Sequence, residues 1–145
     1  MFKRILIANR GEIACRIIKT ARNLGIETVA VYSESDSSAR HVLLADQAYL
    51  LGPSPASKSY LNTDRILQIA QDSNADAIHP GYGFLSENPR FAEMLTDNDI
   101  VFIGPSSKAI ELMGDKIESK LIATKAGVNT IPGFTEALSG PDKAI

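Results

Sequence analysis

The sequence is poor in cysteine and carries no excess of charge of either sign. Its 145 residues include one cysteine, Cys15, which excludes an internal disulfide framework and favours a reducing compartment. The position of Cys15 in an apolar stretch predicts a buried, inert thiol. The formal net charge of −2 gives no electrostatic basis for binding nucleic acid or an anionic membrane. The length predicts one globular domain with a core of its own.

Long apolar runs are also missing. No run approaches the roughly 20 residues that a membrane-spanning helix needs. The first ten residues, MFKRILIANR, have a short apolar core without a small-residue cleavage site, so they are predicted to form a strand and not a signal peptide. We therefore expect a cytoplasmic protein.

Two common nucleotide-binding signatures are absent as well. There is no G-x-G-x-x-G, which disfavours a dinucleotide cofactor, and no G-x-x-x-x-G-K-[ST], which gives no support to a P-loop ATPase. The segment that follows the first strand holds Asn9, Arg10 and Gly11 and is predicted to form a tight strand-to-helix turn, with Arg10 in a local ion pair. No Cys, His and carboxylate set has ligand spacing, so we predict no zinc site.

What the sequence does contain is a regular alternation of apolar strands and amphipathic helices. A βαβ unit opens the chain, with a helix after Gly11 whose apolar positions are Ile13, Ile17, Ala21 and Leu24. Strands are predicted at Lys3–Ala8, Glu27–Tyr32, Ala48–Leu51, Ala77–His79 and Ile100–Ile103. This order predicts an α/β fold, a Rossmann-like doubly wound parallel sheet of four or five strands.

Further helix starts are predicted from capping residues. They lie at Asn62 or Thr63, at Asn88 before Pro89, at Ser106 or Ser107, and at Asp115. A short helical turn is expected at His41–Ala45. The segment 33–38 is predicted as a polar loop, and 52–60 as a loop without regular structure. Val128–Ile131 is predicted as the start of a strand broken by Pro132-Gly133, and the last twelve residues show no pattern.

The segment HPGYGFLSEN, His79–Asn88, predicts a ligand-facing loop. Gly81 and Gly83 bracket an exposed Tyr82, so that backbone can approach a small polar ligand closely. Glu87 lies near a helix start, where it either faces the ligand or only stabilises the helix. His79 is expected to be a hydrogen-bonded histidine at a strand end and not a ligand.

The segment MGDKIESK, Met113–Lys120, predicts a second polar site. Asp115 and Glu118 have capping-box spacing, and Lys116 lies at the same helix N-terminus. A cation beside free backbone N–H groups is suited to an anion such as phosphate, although a solvated lysine is the alternative.

These blocks together resemble one family. From Ile5 to about Gly133, the chain resembles the N-terminal domain of biotin carboxylase. The resemblance lies in five blocks that occur in the same order: ILIANRGEIACR, HVLLADQAYLLGPSPASKSYLN, HPGYGFLSEN, FIGPSS and MGDKIESK…AGVNTIPG. The sequence of the last block is most similar to that of biotin-containing α-subunits of the propionyl-CoA type of acyl-CoA carboxylase, followed by the methylcrotonyl- and acetyl-CoA carboxylases. The resemblance implies a pre-ATP-grasp domain at residues 1–114 and a hinge with the start of an ATP-grasp region at 115–145.

The resemblance also implies a reaction and its residues. Biotin carboxylases are ATP-dependent ligases that use bicarbonate and Mg²⁺ or Mn²⁺ to carboxylate biotin on a carrier protein. Lys116 matches the family's ATP-contacting lysine, and Tyr82, Gly83 and Glu87 match the loop that faces the bicarbonate and biotin pocket. The catalytic groups, the metal ligands and the glycine-rich lid have no counterpart in these 145 residues. We therefore expect this chain alone to be inactive.

The implied partners are a biotin carboxyl carrier domain, a carboxyltransferase subunit and a second copy bound through the first helix. Lys19 and Asn23 stand where a charged pair commonly supports that dimer, so a weak or differently built dimer is expected. Two alternatives remain: a non-catalytic binding or assembly module that keeps the fold, and another ATP-grasp ligase.

Overall fold

A five-stranded parallel sheet forms the centre of the molecule. The computed structural model describes residues 1–131; the expectations for Pro132-Gly133, for the last twelve residues and for the end of the 115–145 segment fall outside them. The strand order is β3-β2-β1-β4-β5, and every pair is parallel. The strands are β1 Arg4–Ile7, β2 Glu27–Ser33, β3 Gln47–Gly52, β4 Ala77–His79 and β5 Val101–Phe102.

Six α-helices connect these strands or follow them in the described part of the chain. They are α1 Gly11–Asn23, α2 Arg40–Leu44, α3 Thr63–Asp72, α4 Pro89–Asp97, α5 Ser107–Gly114 and α6 Lys116–Lys125. The predicted caps are confirmed: the side chains of Asn62, Asn88 and Ser106 accept hydrogen bonds from backbone N–H groups at the starts of α3, α4 and α5. No helix within residues 1–131 has the length and apolar character needed to cross a membrane.

The sheet is covered on both faces, as a doubly wound fold requires. Along β1, Leu6 belongs to a cluster with α3 and α4, whereas Ile5 and Ile7 belong to a cluster with α1. Alternate strand residues point to opposite faces, so one short apolar run can serve both layers. Full burial of such side chains contributes roughly 1.5–3 kcal/mol each. The predicted α/β class is therefore confirmed.

The buried face of α1 differs from the predicted one. Ala14, Ile18 and Ala21 are buried against the sheet, because two small alanines let the helix approach it closely. Ile17 is only partly buried, and Leu24 is 57% exposed because the helix ends at Asn23. The apolar positions predicted to face the core instead line a groove of about 410 Å³ beside the helix: Ile13, Ile17, Ala21 and Leu24. Cys15, predicted to be buried, is partly exposed.

Two loop predictions and one strand prediction need correction. Residues 33–38 contain a single-turn 3₁₀ helix at Glu34–Asp36, and residues 52–60 contain another at Ala56–Lys58. In the second, Pro55 has its fixed φ, and the Ser59 hydroxyl donates to the Pro55 carbonyl, which closes the turn. Residues 128–131 form no strand, and Ile131 is 86% exposed.

Candidate functional site

A cleft opens where the chain changes direction across the sheet. From β1 the chain continues to β2 on one side and later to β4 on the other, so the loops that follow β1 and β4 diverge. Ligands of open α/β sheets bind at this kind of position. The cleft has a volume of about 410 Å³, and its lining residues are Asn9, Arg10, Gly11, Glu12, Ile13, Tyr82, Gly83 and Phe84.

The glycine loop after β4 forms one wall of this cleft. Gly81 and Gly83 have φ values of +66° and +62°, a region that favours glycine. A Cβ atom on Gly81 would lie 2.7 Å from Asn9 Nδ2, whereas a Cβ atom on Gly83 would meet nothing within 4 Å. Gly81 is therefore required by packing, and Gly83 faces open space. Tyr82 is 71% exposed, as the sequence predicts.

The side chain of Asn9 connects the two walls. Asn9 is buried, and its Nδ2 donates to the carbonyl oxygens of Pro80 and Tyr82, each at 2.8 Å. Its Oδ1 accepts a hydrogen bond from the backbone N–H of Arg10 at 2.9 Å. The sequence predicts Asn9 only as part of a turn. The signal available was a polar residue directly after a buried strand, at the edge where ligands bind.

A second polar network lies behind the cleft, around Asp36. Arg10 Nε donates to the Asp36 carboxylate at 2.7 Å, and a second guanidinium nitrogen donates to its other oxygen. The Tyr60 hydroxyl also donates to this carboxylate, at 2.6 Å, and accepts from the Ser33 N–H at 3.2 Å. The prediction that Arg10 forms an ion pair is confirmed, but the expectation of a local partner is wrong, because Asp36 lies 26 residues away in the chain.

These contacts set the charge state of the network. The hydrogen bond from Arg10 holds the pKa of Asp36 well below its usual range, against the opposing effect of burial. Burial and the bond to Asp36 both raise the pKa of Tyr60. Asp36 is therefore a carboxylate and Tyr60 a neutral phenol at neutral pH.

Tyr60 links this network to the glycine loop. Its ring stacks on Phe84 with a centroid distance of 5.0 Å and an interplanar angle of 13°. Phe84 has a φ of +41°, which is uncommon for a residue with a side chain. An aromatic pair contributes about 0.5–1.5 kcal/mol beyond the area that it buries. The stacking thus helps to hold the loop in a conformation that Phe84 would otherwise avoid.

His79 supports the loop from its first residue. The backbone N–H of Gly81 donates to Nδ1 of His79 at 3.1 Å. Burial lowers the pKa of His79, so the ring is neutral at pH 7 and carries its proton on Nε2. This agrees with the expectation of a hydrogen-bonded histidine at a strand end.

Glu87 and Lys116 do not line this cleft. Glu87 is exposed and precedes Asn88, the cap of α4. Lys116 is the exposed first residue of α6, and the Asp115 carboxylate accepts from the N–H groups of Ile117 and Glu118 at 2.8 and 2.9 Å. The expectation of free N–H groups at this helix start is therefore wrong for these two donors, because Asp115 already caps them.

Metal ligation has no geometric basis in the described part of the chain. Within residues 1–131, no three His, Cys, Asp or Glu side chains lie close enough together to hold an ion. Glu12 is the one acidic residue among those that line the cleft, and Asp36, behind it, is engaged by Arg10 and Tyr60. Its carboxylate therefore serves the protein's own hydrogen bonds.

Comparison with known proteins places these features in a family. The family model described as "Biotin carboxylase, N-terminal domain" matches residues 1–110. The chain is 58% identical over 144 residues to the mitochondrial propionyl-CoA carboxylase alpha chain of Rattus norvegicus, covering 99% of this chain and 20% of that one.

Two solved structures are similar over nearly the whole chain. One is the biotin carboxylase domain dimer of the Hydrogenobacter thermophilus 2-oxoglutarate carboxylase, in complex with MgADP, ADP and bicarbonate, with a TM-score of 0.93 and 53% identity. The other is a biotin carboxylase complex with beta-gamma-ATP from Campylobacter jejuni, with a TM-score of 0.94 and 46% identity. Each match covers 99% of this chain and 32% of the other. The chain thus spans about a fifth of its curated relatives, and it belongs to the biotin carboxylase N-terminal domain family.

Proposed function

We propose that this chain is the N-terminal part of a biotin carboxylase, an ATP-dependent ligase that transfers a carboxyl group from bicarbonate to carrier-bound biotin within an acyl-CoA carboxylase. The observation that carries the proposal is the glycine loop with the exposed Tyr82, beside the cleft between the loops that follow β1 and β4. The H. thermophilus relative, described with MgADP and bicarbonate, supports this choice of ligands.

In this proposal the glycine loop forms the wall of the bicarbonate and biotin pocket. Gly83 leaves open space on the side where a side chain would start, so the flat ureido ring of biotin can lie against the backbone. Tyr82 offers an exposed aromatic ring for the same ligand, and Glu87 adds a negative charge further along the segment.

Lys116 is proposed to contact the phosphates of ATP. Because Asp115 caps the Ile117 and Glu118 N–H groups, the contribution of this helix start to phosphate binding comes mainly from the lysine ammonium. An ammonium donates charge-assisted hydrogen bonds to phosphate oxygens. We also propose that residues 1–114 form one domain and that 115–145 contain the hinge and the start of an ATP-grasp region.

The remaining machinery is proposed to come from other parts of the complete protein. Bound Mg²⁺ or Mn²⁺ would neutralise phosphate charge, but residues 1–131 offer no cluster of ligands for it. The 145-residue chain alone should therefore not turn over free biotin with ATP and bicarbonate. Measured turnover by the purified chain would contradict this part of the proposal.

The proposed partners are a biotin carboxyl carrier domain, a carboxyltransferase subunit and a second copy of the protein. The H. thermophilus relative is described as a dimer. Lys19 and Asn23 are exposed on α1, which we propose as part of the dimer contact. We also propose a cytoplasmic location, although the rat relative is named as mitochondrial. Cell fractionation with an antibody to the complete protein would decide between the two compartments.

The role of Lys116 is tested in the complete protein by the variant Lys116→Gln. Loss of the ammonium should raise the apparent KM for ATP by about tenfold or more, since a charge-assisted contact contributes roughly 1.5–3 kcal/mol. The KM for biotin should change much less. Steady-state kinetics at saturating bicarbonate, with ATP varied in one series and biotin varied in another, measure the two values.

Lys125→Gln provides the matched control. It removes the same charge from the last turn of the same helix, away from Asp115. The control should keep the ATP dependence of the original protein. Equal KM values for ATP in the Lys116→Gln variant and the original protein would refute the assignment of Lys116.

A further inference from the structure

We infer that Asn9 is the positioning residue for the glycine loop: its side-chain amide holds the Pro80 and Tyr82 carbonyl groups and thereby sets the pocket wall. This inference rests on the proposed function for its catalytic consequence. Asn9 touches the loop backbone from the opposite wall of the cleft. It acts on the ligand only through Tyr82 and Gly83, so it is not a catalytic residue.

The sheet explains why a side chain is needed at this point. The backbone ladder between β1 and β4 ends with the Ala8 N–H donating to the His79 carbonyl at 2.9 Å. After Ala8, the chain leaves the sheet and begins α1 at Gly11, so its backbone no longer runs beside β4. The Asn9 amide then takes over from the backbone and bonds to the next loop carbonyl groups, Pro80 O and Tyr82 O.

The orientation of the amide is fixed by its three partners. Nδ2 uses both of its N–H groups on carbonyl oxygens, and Oδ1 accepts from the Arg10 N–H. This pattern needs two donors on one atom and one acceptor on the other, which a neutral carboxamide supplies. A carboxylate of the same shape offers no donor and would repel both carbonyl oxygens.

The fit around Asn9 is tight as well as polar. Asn9 is 2% exposed, and a Cβ atom on Gly81 would come within 2.7 Å of its Nδ2. The loop backbone therefore rests directly on the amide, and the positive φ of Gly81 brings it there. A shift of Asn9 moves the loop, because no gap separates them.

The test is the variant Asn9→Asp in the complete protein, with Asn62→Asp as matched control. Within residues 1–131, the Asn62 side chain makes one hydrogen bond, which it accepts from the Arg65 N–H, and a carboxylate can accept the same bond. Hydrogen exchange followed by mass spectrometry reports on the amides of Gly81 and Ser86, which donate to His79 Nδ1 and the Gly83 carbonyl. Kinetics with varied biotin and varied ATP report on the pocket.

The inference predicts that Asn9→Asp speeds exchange at the loop by about tenfold or more, since two carbonyl groups lose their donors. The apparent KM for biotin should rise while that for ATP stays unchanged. Asn62→Asp should alter neither. Unchanged loop exchange in Asn9→Asp would overturn the inference. Faster loop exchange with an unchanged KM for biotin would instead overturn the proposed location of the biotin pocket.

Discussion

Replacing Gly81 by alanine tests the packing of the glycine loop, and Gly83→Ala gives a matched control. Both glycines have φ values near +60°, so alanine at either position adopts a left-handed backbone. That conformation costs an L-residue roughly 1–2 kcal/mol. Since the backbone cost is shared, the difference between the two variants isolates the contact that only Gly81 makes.

The contact at Gly81 is severe enough to measure. The added Cβ atom would lie 2.7 Å from Asn9 Nδ2 and 2.8 Å from Ile13 Cγ2, and both side chains must move to admit it. Moving Asn9 weakens two hydrogen bonds that contribute about 0.5–1.5 kcal/mol each. We therefore expect Gly81→Ala to reduce the free energy of unfolding by about 1–3 kcal/mol more than Gly83→Ala does.

Urea unfolding followed by circular dichroism measures this difference, because the chain has no tryptophan for fluorescence. The comparison uses midpoints at a common m value. The double variant Gly81→Ala/Asn9→Ala should lose less stability than the sum of its single variants, since the contact with Nδ2 is gone. Equal losses of stability in Gly81→Ala and Gly83→Ala would refute the reasoning.

Two further predictions concern charge. Asp36→Asn removes the anion that Arg10 and Tyr60 contact, so it should lower the free energy of unfolding by about 2 kcal/mol at pH 7. The control is Glu34→Gln, at an exposed position, which should leave the free energy of unfolding nearly unchanged. Because the folded-state pKa of Asp36 is lowered, this stabilisation is present above about pH 4 and is lost towards lower pH. The free energy of unfolding of Asp36→Asn should therefore depend less on pH below about pH 4. The same pH dependence in the variant and the original protein would contradict this. Burial lowers the pKa values of both histidines of the chain, His41 and His79, so the unfolded chain binds more protons and stability should fall as the pH drops from about 7 to about 5. The urea midpoint at several pH values checks this, and a midpoint that rises over the same range would exclude it.

The sequence alone determined most of the local structure of this protein, apart from the single-turn 3₁₀ helices at Glu34–Asp36 and Ala56–Lys58. Apolar runs with β-branched residues gave the five strands, and Asn62, Asn88 and Asp115 marked helix starts that the structure confirms. Gly81 and Gly83 likewise indicated a loop whose backbone a ligand can approach closely, and both have a positive φ in the structure. These features depend on residues close together in the chain, whose propensities and hydrogen bonds act over a few positions.

Only the tertiary structure decided which distant residues meet. Asn9 reaches the Tyr82 carbonyl across 73 positions, and Arg10 pairs with Asp36 across 26, because β1 lies between β2 and β4 in the sheet. The buried face of α1 was also set by its approach to the sheet, which small Ala14 and Ala21 permit. Periodicity reports how often apolar residues recur, whereas strand order determines what each side chain contacts.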